Sequence, residues 1–179
     1  MRADEAAQFR EFVQARWAKL VRTAYLLTGD HGDAEDLVQT ALTKAYVAWH
    51  RVQGSDSPDA YVRRILVNTN AARFRRKRIT QLFGVSAPEP RTAADSTTRQ
   101  VEQRDALMRA LAQLPARQRT VVVLRYWDDL PEAEVARSLG ISVGTVKSQA
   151  SKGLAKLRAD PALHGARWGA DDSAEVIAV

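Results

Sequence analysis

Five polar residues lie close together near the C-terminal end of the chain, and their side chains suit contact with a polyanion. At helical spacing they share one side of a helix or its border: Lys147, Ser148, Gln149, Ser151 and Lys152. Ammonium, hydroxyl and amide groups can donate hydrogen bonds to phosphates and to base edges in a DNA major groove. We therefore predict that these five residues form a DNA-reading surface.

The residues around this surface predict the elements that position it. The opposite side of the same helix carries an apolar stripe, formed by Val146, Ala150, Leu154 and Leu157. Upstream, Pro131 suits the first turn of a short helix, Gly140 the left-handed residue that ends it, and Ser142 the next N-cap. A short helix, a glycine turn and a basic helix are typical of a helix-turn-helix motif. The alternative, an ordinary amphipathic helix with solvated lysines, does not account for the preceding helix and turn.

The composition of the chain limits the classes of protein to which it can belong. Its 179 residues carry a net charge of +6 and are 45% hydrophobic, which favours a folded protein with a polyanionic partner. The absence of cysteine excludes thiolate metal sites, and three isolated histidines predict no metal. No phosphate-binding loop or nucleophile–base set stands out, so we expect neither an enzyme nor a cofactor. The lack of a signal-peptide pattern or a span-length apolar run predicts a cytoplasmic protein without membrane insertion.

The first 78 residues predict three amphipathic helices. The first runs from about Glu5 to Leu27, and Asp33 is the expected cap of the second. Residues 57–59, Ser-Pro-Asp, are a strong start for the third, which we expect to run through Arg78. Three such helices with short connections predict a small bundle.

The rest of the chain divides into a linker, a second domain and a tail. Residues 79–99 contain glycine, proline and serine without a sustained period and predict a flexible linker. Helical patterning continues over 100–158, and 159–179 form an acidic C-terminal tail. The predicted fold class is all-α, with two small helical domains joined by the linker and a helix-turn-helix in the C-terminal domain.

With both domains laid out, the chain resembles the extracytoplasmic-function (ECF) sigma factors of bacterial RNA polymerase, in the sigma-70 family. Residues Asp33–Tyr46 resemble the polymerase-binding segment, Ser57–Arg78 the promoter-melting segment, and Leu114–Arg158 the −35 reader. The resemblance implies a factor that binds core RNA polymerase and directs promoter-specific transcription initiation by reading −35 and −10 elements and assisting DNA melting. It also implies promoter DNA as a partner and an anti-sigma protein as a candidate partner.

The resemblance also implies roles for individual residues. Residues 1–78 would be sigma region 2, which presents Asp36, Leu37 and Gln39 to the polymerase, although the apolar period also places Leu37 on the buried side of its helix. Residues 100–158 would be sigma region 4, in which the five residues of the DNA-reading surface contact the −35 element.

For the −10 element and melting, Asn68 would read the edge of an unstacked base, because its amide offers two donors and an acceptor. Phosphates would be held by Arg63, Arg64, Arg73, Arg75 and Arg76. In the second domain, three arginines either contact the DNA backbone or are solvated helix charges: Arg117, Arg119 and Arg125.

Two other functions are alternatives to this interpretation. A stand-alone helix-turn-helix transcriptional regulator would bind duplex DNA tightly without polymerase, with residues 1–78 sensing or dimerising. A basic helical adaptor would bind an acidic protein or membrane surface, and its helices would carry an exposed apolar face.

Overall fold

The structure is a computed structural model that describes residues 3–82 and 99–163, with side chains over 4–76 and 102–163. Within those residues all regular elements are helices, which agrees with the predicted all-α class. The N-terminal half contains α1 (Ala3–Thr28), α2 (His31–Val47), α3 (Trp49–Gln53) and α4 (Pro58–Leu82). The C-terminal half contains α5 (Arg99–Gln113), α6 (Ala116–Val122), α7 (Glu132–Leu139) and α8 (Val143–Arg158).

Two predicted segments lie largely outside the described residues. The linker was placed at 79–99, of which 79–82 belong to the last turn of α4 and Arg99 begins α5. The other linker residues, 83–98, and the tail from 164 onward are not among the described residues. Flexibility of the linker and weak order of the tail therefore stay predictions.

The N-terminal half is a bundle in which α1 and α4 pack on α2. Its core is fully buried at Ala24, Ala34, Leu37, Val38, Ala45 and Val52. The predicted cap of α2 was wrong by three residues. Asp30, and not Asp33, has the extended backbone of an N-cap, and its carboxylate accepts the Asp33 N–H at 2.9 Å. The Ser57-Pro58 start of α4 agrees with the sequence, since the Ser57 hydroxyl accepts the Ala60 N–H at 3.2 Å.

In the C-terminal half α6 and α7 pack against the buried side of α8, and α5 contributes to the same apolar core. Between α6 and α7 the chain forms a π-helical turn, Val123–Trp127, whose wider ring is closed by the Asp128 N–H donating to the Val123 carbonyl at 3.1 Å. A 3-10 turn at Pro161–Leu163 follows α8, and Leu163 is buried against the same core. This core holds α8 so that its polar side faces outward.

The two halves pack against each other, which the sequence did not predict. Leu26 and Leu27 of α1 and Val67 of α4 are buried in the same apolar cluster as the core of the C-terminal half. The contact places α7 directly on α4. Within the described residues, no helix is both long and apolar enough to cross a membrane.

Candidate nucleic-acid and polymerase interfaces

The turn between α7 and α8 has the predicted geometry. Gly140 ends α7 with φ 65° and ψ 38°, a left-handed conformation that glycine adopts without steric cost. The Ile141 N–H donates to the Ala136 carbonyl at 3.1 Å and closes the turn. Ser142 then caps α8, because its hydroxyl accepts the Thr145 N–H at 3.1 Å. These local bonds fix the angle at which α8 leaves the domain.

The predicted DNA-reading surface is accessible on α8. Gln149 is partly exposed, and the other four residues are exposed: Lys147, Ser148, Ser151 and Lys152. Lys147 Nζ lies 3.7 Å from Glu132 Oε2 on α7, and the Ser148 hydroxyl donates to the Thr145 carbonyl at 3.1 Å. Both contacts are at the surface, so these donors can exchange to a phosphate or base at small cost.

Gly153 sets how closely α8 approaches α6, and the sequence analysis missed it. A Cβ at this buried position would lie 2.7 Å from Cγ2 of Val122, which is itself fully buried. A glycine inside an otherwise helical pattern is the signal that could have identified a close packing contact. The contact seats α8 deeply and leaves its polar side outward.

On α4, the residues predicted to contact the −10 element fall into two groups. Asn68 and Arg64 are exposed one turn apart, and Arg75 and Arg76 are exposed further along the helix. These four positions form a polar and basic surface on which an amide lies among guanidinium groups.

Arg63 and Arg73, by contrast, are engaged within the protein. Arg73 Nη2 lies 2.6 Å from Asp33 Oδ1, and its Nη1 donates to the Asp33 carbonyl at 2.9 Å, which ties α4 to the start of α2. The Arg63 side chain is 12% exposed, and its Nη1 lies 3.6 Å from Glu134 Oε2 on α7. In this arrangement Arg63 is largely closed to a phosphate, whereas Arg73, whose side chain is 35% exposed, would have to exchange its bond to Asp33 for one to a phosphate. The sequence could not reveal either contact.

The predicted polymerase-binding residues do not all face outward. Asp36 and Gln39 are exposed one turn apart on α2. Leu37 is fully buried in the N-terminal core, so the expectation that it contacts the polymerase was wrong, and its role is packing. The apolar period of α2 had already placed it on the buried side.

Arg119 is neither a solvated charge nor a DNA contact. It is 7% exposed, and its guanidinium donates to the Leu27 carbonyl at 2.9 Å and to the Ala112 carbonyl at 2.7 Å. These carbonyls lie in the last turns of α1 and α5, where helical C=O groups have no partner within the helix. Burial lowers the pKa of Arg119, and the group lies 5.7 Å from the Phe74 ring centroid. One side chain thus caps two helices, one from each half.

Asp128 is a partly buried carboxylate between the halves. Its Oδ1 accepts the Thr23 hydroxyl at 2.8 Å. Burial raises the pKa of Asp128, and the Thr23 hydrogen bond and the charges of Lys19, Arg63 and Arg22 oppose that rise in part. Because the folded protein holds this proton more tightly than the unfolded chain, the carboxylate lowers stability as the pH rises from its ordinary pKa through the raised one.

We expect Asp128→Asn to raise the melting temperature at neutral pH, because a neutral amide can keep the Thr23 hydrogen bond without burying a charge. The difference in melting temperature between variant and parent should shrink as the pH falls through the raised pKa. Thermal unfolding of both proteins over a pH series measures it. A difference that does not change with pH would contradict this assignment.

We find no candidate metal cluster beside these surfaces in the described ranges. No group of three histidine or carboxylate side chains there could hold a metal ion. The features that the described residues do offer are polar and charged helical surfaces, which suit binding to macromolecules.

The chain is similar to known proteins in both halves. A model of sigma-70 region 2 matches residues 12–79, and a model of sigma-70 region 4 matches residues 104–157. The chain is 39% identical over 154 residues to the RNA polymerase sigma-E factor of Streptomyces coelicolor, covering 86% of each protein. It is 34% identical over 159 residues to the ECF RNA polymerase sigma factor SigM of Mycobacterium tuberculosis, covering 87% of this chain and 78% of SigM.

Solved structures share the fold. RpoE of Bartonella quintana, solved with the anti-sigma factor NepR, matches with a TM-score of 0.73 at 24% identity over 89% of this chain and 99% of RpoE. CnrH, solved with the cytosolic domain of CnrY, matches with a TM-score of 0.57 at 25% identity over 84% of this chain and 85% of CnrH. With both sigma-70 regions present in order and sigma factors as relatives along most of its length, this chain belongs to the ECF sigma factors of the sigma-70 family.

Proposed function

We propose that the C-terminal half reads the −35 element through α8, while α4 reads the −10 element and α2 binds core RNA polymerase. In this proposal the protein acts in the cytoplasm as an initiation factor and catalyses no reaction itself. The observation that carries it is the exposed polar face of α8, held out by the Gly140 turn, on the same chain as the exposed Asn68 of α4. A repressor needs only the first of these two surfaces.

The −35 contact would be made in the duplex major groove. Lys147 and Lys152 provide positive charge on either side of Ser148 and Ser151, and Gln149 borders them. Glutamine can pair with adenine through two hydrogen bonds, whereas lysine acts as a point charge without the fork of arginine. The proposed division is therefore phosphate binding by the lysines and base reading by the shorter polar groups.

We expect Lys152→Ala to weaken holoenzyme binding to a −35 promoter by about tenfold at low salt, because one phosphate contact is lost. The slope of log K against log salt concentration should become less steep by about 0.9. Electrophoretic or fluorescence binding at several salt concentrations measures both. Arg109→Ala removes an exposed charge from α5 and is the matched control. An unchanged salt slope would argue against the phosphate contact.

The melting step would use Asn68 on α4. An exposed amide among arginines can accept and donate to the edge of a base that has left the stack, while the guanidinium groups hold the neighbouring phosphates. Capture of that base offsets part of the cost of unpairing and favours the open strand. Arg64 lies one turn before this position on the same helix, and Arg75 and Arg76 lie two turns after it.

We expect Asn68→Ala to reduce open-complex formation by about tenfold while leaving affinity for core polymerase within about twofold, because the amide faces DNA and not α2. Permanganate footprinting measures the first quantity and co-migration with core polymerase the second. Gln14→Ala, which removes an exposed amide from α1, is the control. Equal losses in both assays would assign Asn68 a structural role instead.

The function as a whole is tested by in vitro transcription with purified core polymerase and a promoter library. We expect initiation from a subset of promoters above the level of core polymerase alone, and weak binding of the free protein to the same DNA. If no promoter is initiated while the free protein footprints duplex DNA, the chain is a stand-alone helix-turn-helix regulator.

An anti-sigma protein is part of the proposal for this chain. RpoE of Bartonella quintana was solved in complex with such a factor, and its fold matches this chain over nearly the whole length of RpoE. A protein of that class would bind the free sigma factor and compete with core polymerase. Adding a candidate to the transcription assay, with excess core polymerase as the competitor, tests this part separately.

A further inference from the structure

The helix-turn-helix, α7 to α8, contains three glycines, and the fold explains two of them. Gly140 takes the left-handed conformation that ends α7, with φ 65°. Gly153 allows α8 to approach α6 closely, since a Cβ there would lie 2.7 Å from Cγ2 of Val122. Gly144, the second residue of α8, needs a different explanation.

The protein leaves room for a side chain at Gly144, which is exposed. A Cβ added there would come within 4 Å of the Ser142 hydroxyl oxygen, at 3.8 Å, which is an ordinary van der Waals distance. Its φ is not positive, so alanine could adopt the same backbone. Glycine is a poorer helix former than alanine, and here it lowers the stability of α8. The described part of the chain therefore gives no reason for a glycine, whereas a partner that approaches the backbone closely does.

The position of Gly144 on α8 indicates which partner approaches it. It lies one turn before Ser148, on the exposed side of the helix that carries the DNA-reading surface. The major groove is about 12 Å wide, and an α-helix with its side chains is about 10–12 Å across. A helix in the groove therefore fills it, and its backbone comes closest to the DNA where a side chain is missing.

Val143 precedes the glycine and is an apolar residue that faces water. It is 39% exposed, whereas Val146 and Leu157 of the same helix are buried. Because it lies one turn before Lys147, a helix that enters the groove at Gly144 brings Val143 to the bases as well. The apolar group that base pairs present in the major groove is the C5-methyl group of thymine. Contact between this methyl group and valine removes apolar surface from water and is favourable.

We propose that the first turn of α8 is the part of the −35 surface closest to the bases, where Gly144 provides clearance and Val143 contacts the C5-methyl group of a thymine. The inference deepens the proposed reading of the −35 element and rests on it. It adds an apolar, base-specific contact to the polar contacts of Ser148 and Ser151.

The variant Gly144→Ala separates stability from DNA binding, because the two should change in opposite directions. We expect the melting temperature of the free variant to rise by about 2 °C, since alanine favours the helix. We expect its holoenzyme to bind a promoter selected from the library about tenfold more weakly, since the added methyl group takes up room that the DNA needs. Thermal unfolding and fluorescence titration of holoenzyme with promoter measure the two changes.

The matched control is Gly32→Ala. Gly32 is exposed and is likewise the second residue of its helix, but that helix is α2 in the N-terminal half. We expect the holoenzyme of this variant to bind the promoter within about twofold of the parent. A Gly144→Ala holoenzyme that binds as well as the parent, or a Gly144→Ala protein with a lower melting temperature, would overturn the clearance role.

The thymine contact is tested by removal of the methyl group from the DNA. Uracil differs from thymine only in lacking this group, so each thymine of the −35 element is replaced by uracil in turn, on both strands. We expect one replacement to weaken binding of the parent holoenzyme by about fourfold, the effect of one buried methyl group. The same replacement should weaken binding of the Val143→Ala holoenzyme by less than about twofold, because the partner of the methyl group is already reduced.

The contact is absent if no uracil replacement weakens the parent, or if one replacement weakens both holoenzymes equally. A parent holoenzyme that initiates from no promoter would instead overturn the proposed function. An active parent that tolerates both Gly144→Ala and every uracil replacement overturns only the present inference, so the two failures are distinguishable.

Discussion

Replacement of Arg119 by alanine is expected to lower the free energy of unfolding by about 3 kcal/mol, a large part of the stability of an average domain. The guanidinium satisfies carbonyls at the ends of α1 and α5, at 2.9 and 2.7 Å. Alanine leaves the carbonyl of the fully buried Leu27 unpaired and removes the partner of the Ala112 carbonyl, which belongs to an exposed residue. Burial of the guanidinium is itself unfavourable, as the lowered pKa of Arg119 indicates. Because alanine removes this buried charge, part of the lost free energy of unfolding is recovered. Denaturant unfolding followed by tryptophan fluorescence measures the net change.

The matched control for this prediction is on the same helix. Arg117, two residues earlier on α6, is exposed, and we expect Arg117→Ala to change the free energy of unfolding by less than about 0.5 kcal/mol. Arg119→Lys should recover only part of the loss, because an ammonium lacks the planar fork that reaches two carbonyls. Equal stabilities for the Arg117 and Arg119 alanine variants would show that the two carbonyls gain little from the guanidinium.

Gly153→Val is expected to destabilise the protein by about 2–3 kcal/mol and to weaken −35 binding with it. The first added carbon would lie 2.7 Å from Val122 Cγ2, and the buried Val122 side chain has a restricted set of rotamers with which to yield. The helix α8 must then move away from α6, which displaces the DNA-reading surface. Thermal unfolding and promoter binding by holoenzyme measure the two consequences.

Gly153→Ala tests more sharply whether the close contact with Val122 is the cause. Helix propensity and packing predict changes of opposite sign in the free energy of unfolding of this variant. Helix propensity alone predicts stabilisation by about 1 kcal/mol, whereas the close contact predicts a loss of about 1 kcal/mol or more. For the Gly153→Val variant, the control is Ala155→Val at an exposed position of the same helix, which measures the cost of a β-branched residue alone. A stabilising Gly153→Ala change would rule out the close contact as a constraint on α8.

Local features of this protein could be predicted because their causes lie within a few residues. The left-handed Gly140 and the Ser142 cap follow from backbone sterics and local hydrogen bonding, and both agree with the structure. The apolar stripe of α8 agrees at Val146, Ala150 and Leu157, whereas Leu154 is only partly buried and Gly153 is buried instead. The cap of α2 was placed wrongly, since Asp30 and Asp33 are both suitable residues and the pattern alone could not decide between them. The all-α class follows from the same periodicity.

Only the tertiary structure shows which charged residues are exposed and which are held by partners within the protein. Arg63, Arg73 and Arg119 read alike in the sequence, yet each is held by a partner at least seven positions away: Glu134, Asp33 and the carbonyls of Leu27 and Ala112. Arg64 lies beside Arg63 and is exposed. A charge can be assigned to solvent, DNA or the interior only when the groups that approach it through space are known.

The amino-acid sequence by itself determined the helices, the helix-turn-helix and the family, because these depend on local spacing and on motifs read in order. Only the tertiary structure decided that the two halves share one buried apolar cluster, that Arg119 joins them and that Gly153 allows α8 to approach α6 closely. The reason is physical: these features arise from contacts between segments tens of residues apart, and such contacts depend on how whole surfaces fit together.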